Sequence, residues 1–319
     1  MNELNLTLNL PLLQNHRQKW SNLHIKQLMK KRRVWNVQPF GFHLKMFQLH
    51  ANVLLALIHR FVLVESTYCY RTSRRKDTIL ANSLPYFSKQ LSSKIVLLNA
   101  DHLRDRCGEN EFDRCFQYEQ RNMLLRFILH TADDQDLILA ADADEIVHPN
   151  MLQKIQMSTL FWEKEGPEML IFEAEHFKYS FKCKVTTPWL HGPRLLNMHW
   201  LRHQNFTRSG FYDTRLRTHY SVASIPKSAW HLSSFGSPQY VLRKAQTAGH
   251  SSLYTQHTLD SVKTCMLACG DLIDRKYHHS NCKQPNRGLY AMRKGRRKTP
   301  KALEEPYHML FQDHLKQTL

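Results

Sequence analysis

Three short apolar runs punctuate the first half of the chain: Phe61-Val62-Leu63-Val64 leading to Glu65, Ile95-Val96-Leu97-Leu98 within residues 94–99, and Leu137-Ile138-Leu139-Ala140-Ala141. Each is short and apolar at successive rather than alternate positions, the pattern of a strand buried on both faces. Helical spacing fills the gaps. Leu44, Phe47, Val53, Leu54, Leu57 and Ile58 fall on one broad face of a helix over residues 44–58, and Met123, Leu124, Phe127 and Ile128 line the inner face of another over 116–130. Strands alternating with helices predict an α/β fold, a mostly parallel sheet flanked by helices. Ligands of such sheets bind at the carboxyl ends of the strands, where Glu65 and the cluster Asp142 to Glu145 both fall.

Beyond Pro149 the pattern changes. A helix over 151–161 is followed by a β-like stretch over 168–181, then by irregular segments rich in His, Arg and aromatic residues as far as Trp230-His231. Two more helical patterns cover 238–248 and 259–272, so the second half is predicted to be the more irregular one. The ends read differently again. Residues 1–36, with Lys30-Lys31-Arg32-Arg33, are expected to be a loosely attached basic arm, and 277–319, with the run Arg293 to Lys298, a basic tail. Residues 37–276 remain as a single domain.

Composition narrows the function classes. With 319 residues, 42% of them hydrophobic, the chain can bury a full core and is not a disordered protein. A net charge of +18 points to anionic partners, whether nucleotide phosphates, acidic lipid surfaces or nucleic acid, without naming one. The longest apolar candidate for a membrane span, Val53 to Val64, is interrupted by His59 and Arg60 and falls short of the ~20 residues a bilayer requires. No transmembrane segment is therefore expected, and Met1 to Leu13 lacks the basic start and apolar core of a signal peptide. Seven cysteines leave at least one unpaired and include no Cys-x-x-Cys; Cys265 and Cys269, four apart, are expected to share a helix face rather than bind a metal.

The candidate chemistry lies where the third run ends, at Asp142-Ala143-Asp144-Glu145. A bare Asp-x-Asp carries little information, but one that follows a buried strand at once and is extended by Glu is far rarer by chance. Alternate strand positions point the same way, so Asp142 and Asp144 are expected on one face with room over Ala143 for a cation. Oxygen ligands favour Mn²⁺ or Mg²⁺. The competing reading is structural, carboxylates at the start of a helix near Pro149.

The chain also resembles a family. Val64-Glu65-Ser66 at a strand end, Gln120-Arg121 on a helix, Asp142 to Ile146, Trp230-His231, and Gly270-Asp271-Leu272-Ile273-Asp274-Arg275 occur in the order seen in the family 17 glycosyltransferases, the β-1,4-mannosyl-glycoprotein 4-β-N-acetylglucosaminyltransferases. The likeness spans roughly residues 40–275. Leu232 stands after Trp230-His231 where relatives commonly have Cys.

The resemblance implies a GT-A-like fold, with 37–148 the nucleotide-sugar half and 149–276 the acceptor half. It implies metal-dependent, inverting transfer of N-acetylglucosamine from UDP-GlcNAc to a β-linked mannose of an N-glycan, in the Golgi lumen or at its membrane. In that scheme Asp142, Asp144 and His231 are the candidate ligands of Mn²⁺ or Mg²⁺, and Glu65, Lys76, Arg121 and Asp142 the candidate nucleotide-sugar contacts, although Arg121 and Lys76 suit a buried ion pair with Glu65 equally. Glu145, Glu173, Glu175 and Asp213 are the candidate bases, and no spacing rule chooses among them. Partners are a nucleotide-sugar donor and a glycan or glycoprotein acceptor. Two other classes fit the acids and the charge: a Mg²⁺-dependent nuclease, disfavoured because no basic segment is interleaved with aromatics, and a diverged transferase fold without activity.

Overall fold

A computed structural model of the chain describes residues 31–41, 43–69, 75–107, 112–159, 167–203, 222–247, 258–270, 292–294, 300 and 302–304. Its elements are β1 (Val34–Pro39), α1 (Leu44–Leu54), β2 (Arg60–Glu65), α2 (Ile79–Ser83), α3 (Lys89–Ser92), β3 (Ile95–Asn99), α4 (Phe112–Thr131), β4 (Leu137–Ala140), β5 (Glu145–Val147) and α5 (Pro149–Gln156). There follow β6 (Met169–Lys178), β7 (Cys183–Val185), β8 (Arg194–Asn197), α6 (Met198–His203), β9 (Val222–Ser233), α7 (Pro238–Thr247), α8 (Leu259–Ala268) and β10 (Met292–Lys294).

The described strands form one sheet in the order β10-β7-β6-β8-β4-β1-β2-β3, with β9 beside β6 and β5 beside β9. The four strands β3-β2-β1-β4 pair in parallel throughout. Alternation along them explains why they are apolar at every position. Phe61, Leu63, Leu137 and Leu139 pack toward α1 and α5, on Phe47, Ala51, Leu54, Leu152 and Ile155. Val62, Val64, Ile138 and Ala140 pack toward α4 and α6, on Phe116, Leu124, Ile128 and Leu201. Beyond β4 the sheet is mixed: β8 is antiparallel to both β4 and β6, while β9 runs parallel to β6. The α/β architecture with helices on both faces is the predicted one, and the irregular half continues its sheet.

Two predicted boundaries need correction. The basic arm does not reach residue 36, because β1 starts at Val34 and lies between β2 and β4 at the centre of the parallel set. Its sequence hides it: Asn36 and Gln38 are fully buried polar residues in a strand, the Asn36 amide donating to the Leu139 carbonyl at 3.3 Å and the Gln38 amide to Asn36 Oδ1 at 3.2 Å. Arg32 is buried, and Arg33 is bonded to Asp136. Nor is the C-terminal stretch wholly a tail. Met292–Lys294 pairs antiparallel with β7, and Leu303 is buried against Phe177, Phe181 and Phe235. A three-residue edge strand and one isolated leucine are too short to leave a period in the sequence.

Disulfides join Cys107 to Cys115 and Cys183 to Cys269. The second makes Cys269 a link between β7 and the end of α8, where it caps the helix at φ 53° just beyond the face that carries Cys265. Cys69 is the free cysteine among the described residues. The Cys183–Cys269 bridge closes a loop of 86 residues, so its loss should cost about 2–4 kcal/mol by releasing chain entropy to the unfolded state. Urea unfolding of Cys183→Ala/Cys269→Ala against the parent measures this; equal midpoints would refute it.

Candidate active site

Strand β4 ends as predicted in the acids, but they do not continue it. Asp142, Ala143 and Asp144 form a tight turn into β5, with the Glu145 N–H donating to the Asp142 carbonyl at 3.0 Å and the Leu232 N–H to the Asp144 carbonyl at 2.7 Å. Strand alternation therefore does not set their side-chain directions, and Ala143 packs against the Met46, Leu49 and Ile146 cluster instead of leaving space between the acids. From α1 beneath, the fully buried His50 reaches the Ala143 carbonyl through Nδ1 at 3.4 Å.

Each aspartate meets a different base. Asp142 Oδ1 stands 3.6 Å from an Arg121 guanidinium nitrogen on α4. Asp144 Oδ2 accepts from Lys244 Nζ on α7 at 3.0 Å and lies 3.9 Å from His231 Nε2 on β9. Burial alone would raise the Asp144 carboxyl; Lys244, His231 and His43 together hold it well below the usual carboxylate range. Burial outweighs the Asp144 charge at His231, lowering it to about 4, so this imidazole is neutral near pH 7.

Glu145 opens β5 opposite His231, and His231 lies opposite His176 on β6. Residues in register on neighbouring strands share a face, so these three side chains form one row. Trp189 covers it. The indole stands 4.4 Å from the His231 ring, and its Nε1–H donates to Glu145 Oε1 at 2.7 Å. Glu145 Oε2 accepts the Asp142 N–H at 3.2 Å. Burial, then the charges of Asp142 and Asp144, push the Glu145 carboxyl up to about 8. Trp189 is delivered by a segment pressed onto β6, where it exchanges backbone hydrogen bonds with Ala174. Gly192 permits that approach, since a Cβ there would meet the Phe172 carbonyl oxygen at 2.1 Å.

A divalent cation of the Mn²⁺ or Mg²⁺ type needs several oxygen ligands converging on one point. Among the described residues no three His, Cys, Asp or Glu side chains do so, and an ammonium already holds one carboxylate oxygen of Asp144. As they stand, Asp142, Asp144 and His231 do not fit such an ion.

The acidic turn stands at the carboxyl end of a four-stranded parallel set, where ligands of such sheets bind, and basic side chains from two helices meet it. Residues 12–234, more than two thirds of the chain, match the glycosyltransferase family 17 profile. The chain belongs to glycosyltransferase family 17. No curated protein matches it in sequence. The crystal structure of mouse xyloside xylosyltransferase 1 in its apo form is similar over 84% of this chain and 99% of that one, at 12% identity and a TM-score of 0.30. Family membership makes this protein a glycosyltransferase, and the nuclease reading falls away.

The family 17 chain brings only some of its predicted site residues together. Asp142, Asp144, Glu145, Arg121 and His231 cluster as described. Glu65 has a structural role, because its two carboxylate oxygens accept the Leu80 and Ala81 N–H groups at 3.0 Å each, capping α2. Lys76 Nζ bonds the Gly41 carbonyl at 3.2 Å, and its pKa is lowered by burial, against which the Glu65 charge acts. Glu173 accepts from Ser224 at 2.8 Å. Glu175 is one residue out of register with the Glu145 row, hence on the opposite face of the sheet, where it pairs with Lys184. Asp213 lies outside the described residues. Sequence reasoning missed Lys244, His176 and His50; Lys244, 100 residues from Asp144, had no local signal.

The buried His50 gives the family 17 enzyme a pH dependence. Burial lowers its pKa to about 4, while the unfolded chain titrates near 6.5. The native state thus refuses a proton that the unfolded state accepts, so this stability is present above about pH 6.5 and lost as pH falls toward 4, by about 1.4 kcal/mol per pH unit. Unfolding free energies at pH 7 and 5 should drop less for His50→Gln than for the parent; identical slopes would exclude His50 as a cause.

Proposed function

We propose that this chain transfers N-acetylglucosamine from UDP-GlcNAc to a β-linked mannose of an N-glycan, with inversion at the anomeric carbon. The observation that carries the reading is the acidic turn at the carboxyl end of β4, engaged by Arg121 and Lys244 and continued by Glu145. Family membership supplies the reaction class. The chemistry asks for two things: positive charge to take the departing diphosphate, and a base for the acceptor hydroxyl.

Glu145 is the base in this reading. Of the four candidate carboxylates it is the one that belongs to the acidic cluster, and its raised pKa makes the ionised form a stronger proton acceptor. Trp189 fixes its orientation through Oε1, and the same indole offers an apolar face against which a sugar ring can stack. The Cys107–Cys115 and Cys183–Cys269 disulfides support a setting in an oxidising compartment such as the secretory lumen, and among the described residues no helix is long and apolar enough to cross a membrane.

The test is transfer itself. Incubated with UDP-GlcNAc and an N-glycan carrying its core β-mannose, the chain should yield a product heavier by one N-acetylhexosamine, with release of UDP. Intact donor and unchanged glycan, both with Mn²⁺ and in chelator, would sink this donor and acceptor assignment.

A further inference from the structure

The nucleotide-sugar reading leaves one side chain without an assigned role. Lys244 enters the site from α7, is mostly shielded, and places its ammonium 3.0 Å from Asp144 Oδ2. An ammonium carries three N–H donors, and among the described residues Lys244 uses one of them, on Asp144. The helix that carries it is firmly seated. Tyr240, one turn earlier on the same face, bonds His43 beside the start of α1, with the two rings 5.4 Å apart. Gly236, at φ +142°, makes the turn into α7, and a Cβ there would meet the Tyr240 ring at 2.6 Å. Val241 and Ala245 are buried beneath. Lys244 is thus delivered by a helix whose register is set independently of Asp144.

The charges around the turn are already balanced. Asp144 faces Lys244, Asp142 faces Arg121, and both Glu145 oxygens accept N–H donors from Trp189 and Asp142. A divalent ion placed on Asp144 would stand against the ammonium at close range in a shielded site, where like charges repel strongly.

Resting on the transferase reading above, we propose that Lys244 is the cation that receives the donor's diphosphate, so that donor binding needs no divalent metal. As the bond between the anomeric carbon and the β-phosphate oxygen breaks, its electron pair leaves with that oxygen, and the spare Lys244 N–H groups donate to the phosphate. The acceptor oxygen bonds the anomeric carbon from the opposite side, its proton passing to the Glu145 carboxylate. Nothing is oxidised or reduced. Asp144 holds the ammonium in place between turnovers, and Arg121 adds a second positive charge at the mouth of the turn.

The probe is UDP, titrated calorimetrically into the full chain in EDTA and again with Mn²⁺, for the parent, Lys244→Met and Lys244→Arg. The parent should bind UDP in EDTA. Lys244→Met should lose at least about tenfold in affinity, the worth of a charge-assisted hydrogen bond, and Lys244→Arg should retain most of it. Binding by the parent only when Mn²⁺ is present overturns the proposal and leaves the transferase reading standing; this arm needs no variant and so does not depend on Lys244→Met folding. Equal affinity of a folded Lys244→Met in EDTA overturns it too, reducing Lys244 to a structural ion pair. Failure of the folded parent to bind UDP in both buffers defeats the proposal together with the reading beneath it.

Discussion

Glu145→Gln should abolish most transfer, lowering the rate by about 10²–10⁴-fold, the usual worth of a positioned base, and should at the same time make the protein more stable near neutral pH. The amide keeps its oxygen for the Trp189 N–H, gives up the longer bond from the Asp142 N–H, and removes the group that takes the acceptor proton. The stability gain follows from the sign of the titration. Burial and the neighbouring aspartates raise the folded-state pKa of Glu145, so native protein retains a proton that the unfolded chain gives up near pH 4.3. Its contribution is therefore fully present below that value and lost as pH rises toward the folded pKa. Glutamine escapes this loss. In the parent, the transfer rate should climb with pH over the same window as the base ionises. A Glu145→Gln enzyme that retains more than about a tenth of parental turnover would move the base elsewhere, and a lower melting temperature at pH 7.5 would contradict the stabilising sign.

Asp136→Ala should destabilise the fold by about 3 kcal/mol without touching the site. This carboxylate sits at the entry to β4 and is almost fully buried. It accepts two hydrogen bonds from Arg33 at 2.8 Å each, one from Trp35 Nε1 at 2.8 Å and one from the Asp133 N–H at 2.9 Å. Through them it clamps the start of β1 to the start of β4, its neighbour in the parallel set. Arg33 is 41% exposed and can turn to water, which moderates the loss. The buried indole N–H and the Asp133 amide have no such escape. Urea unfolding read by tryptophan fluorescence measures the change, and a loss below about 1 kcal/mol would show that the network is redundant.

The parallel half of the fold was legible because burial on both faces forces apolar residues at every strand position, and three of its four strands carry that mark within a residue of their observed bounds. β1 was not, because Asn36 and Gln38 interrupt the run and their hydrogen-bond partners sit about a hundred residues away or inside the strand itself. The acidic turn was legible for a related reason. Adjacent carboxylates at the end of an apolar strand conflict with burial unless something cationic faces them. Only one of the two cations was legible: Arg121 belongs to the Gln120-Arg121 pair of the family order, whereas Lys244 comes from a helix after the turn and is not set apart by its neighbours in sequence.

The amino-acid sequence by itself thus determined the α/β class, the position of the acids at the carboxyl end of a strand, and the family to which their order belongs, since these follow from near-neighbour spacing. Tertiary structure alone decided that Glu145, His231 and His176 share one row, that Glu175 faces away from it, that Glu65 caps a helix, and that Lys244 meets Asp144. Those outcomes depend on strand register and helix placement, where a shift of one residue reverses the face a side chain presents.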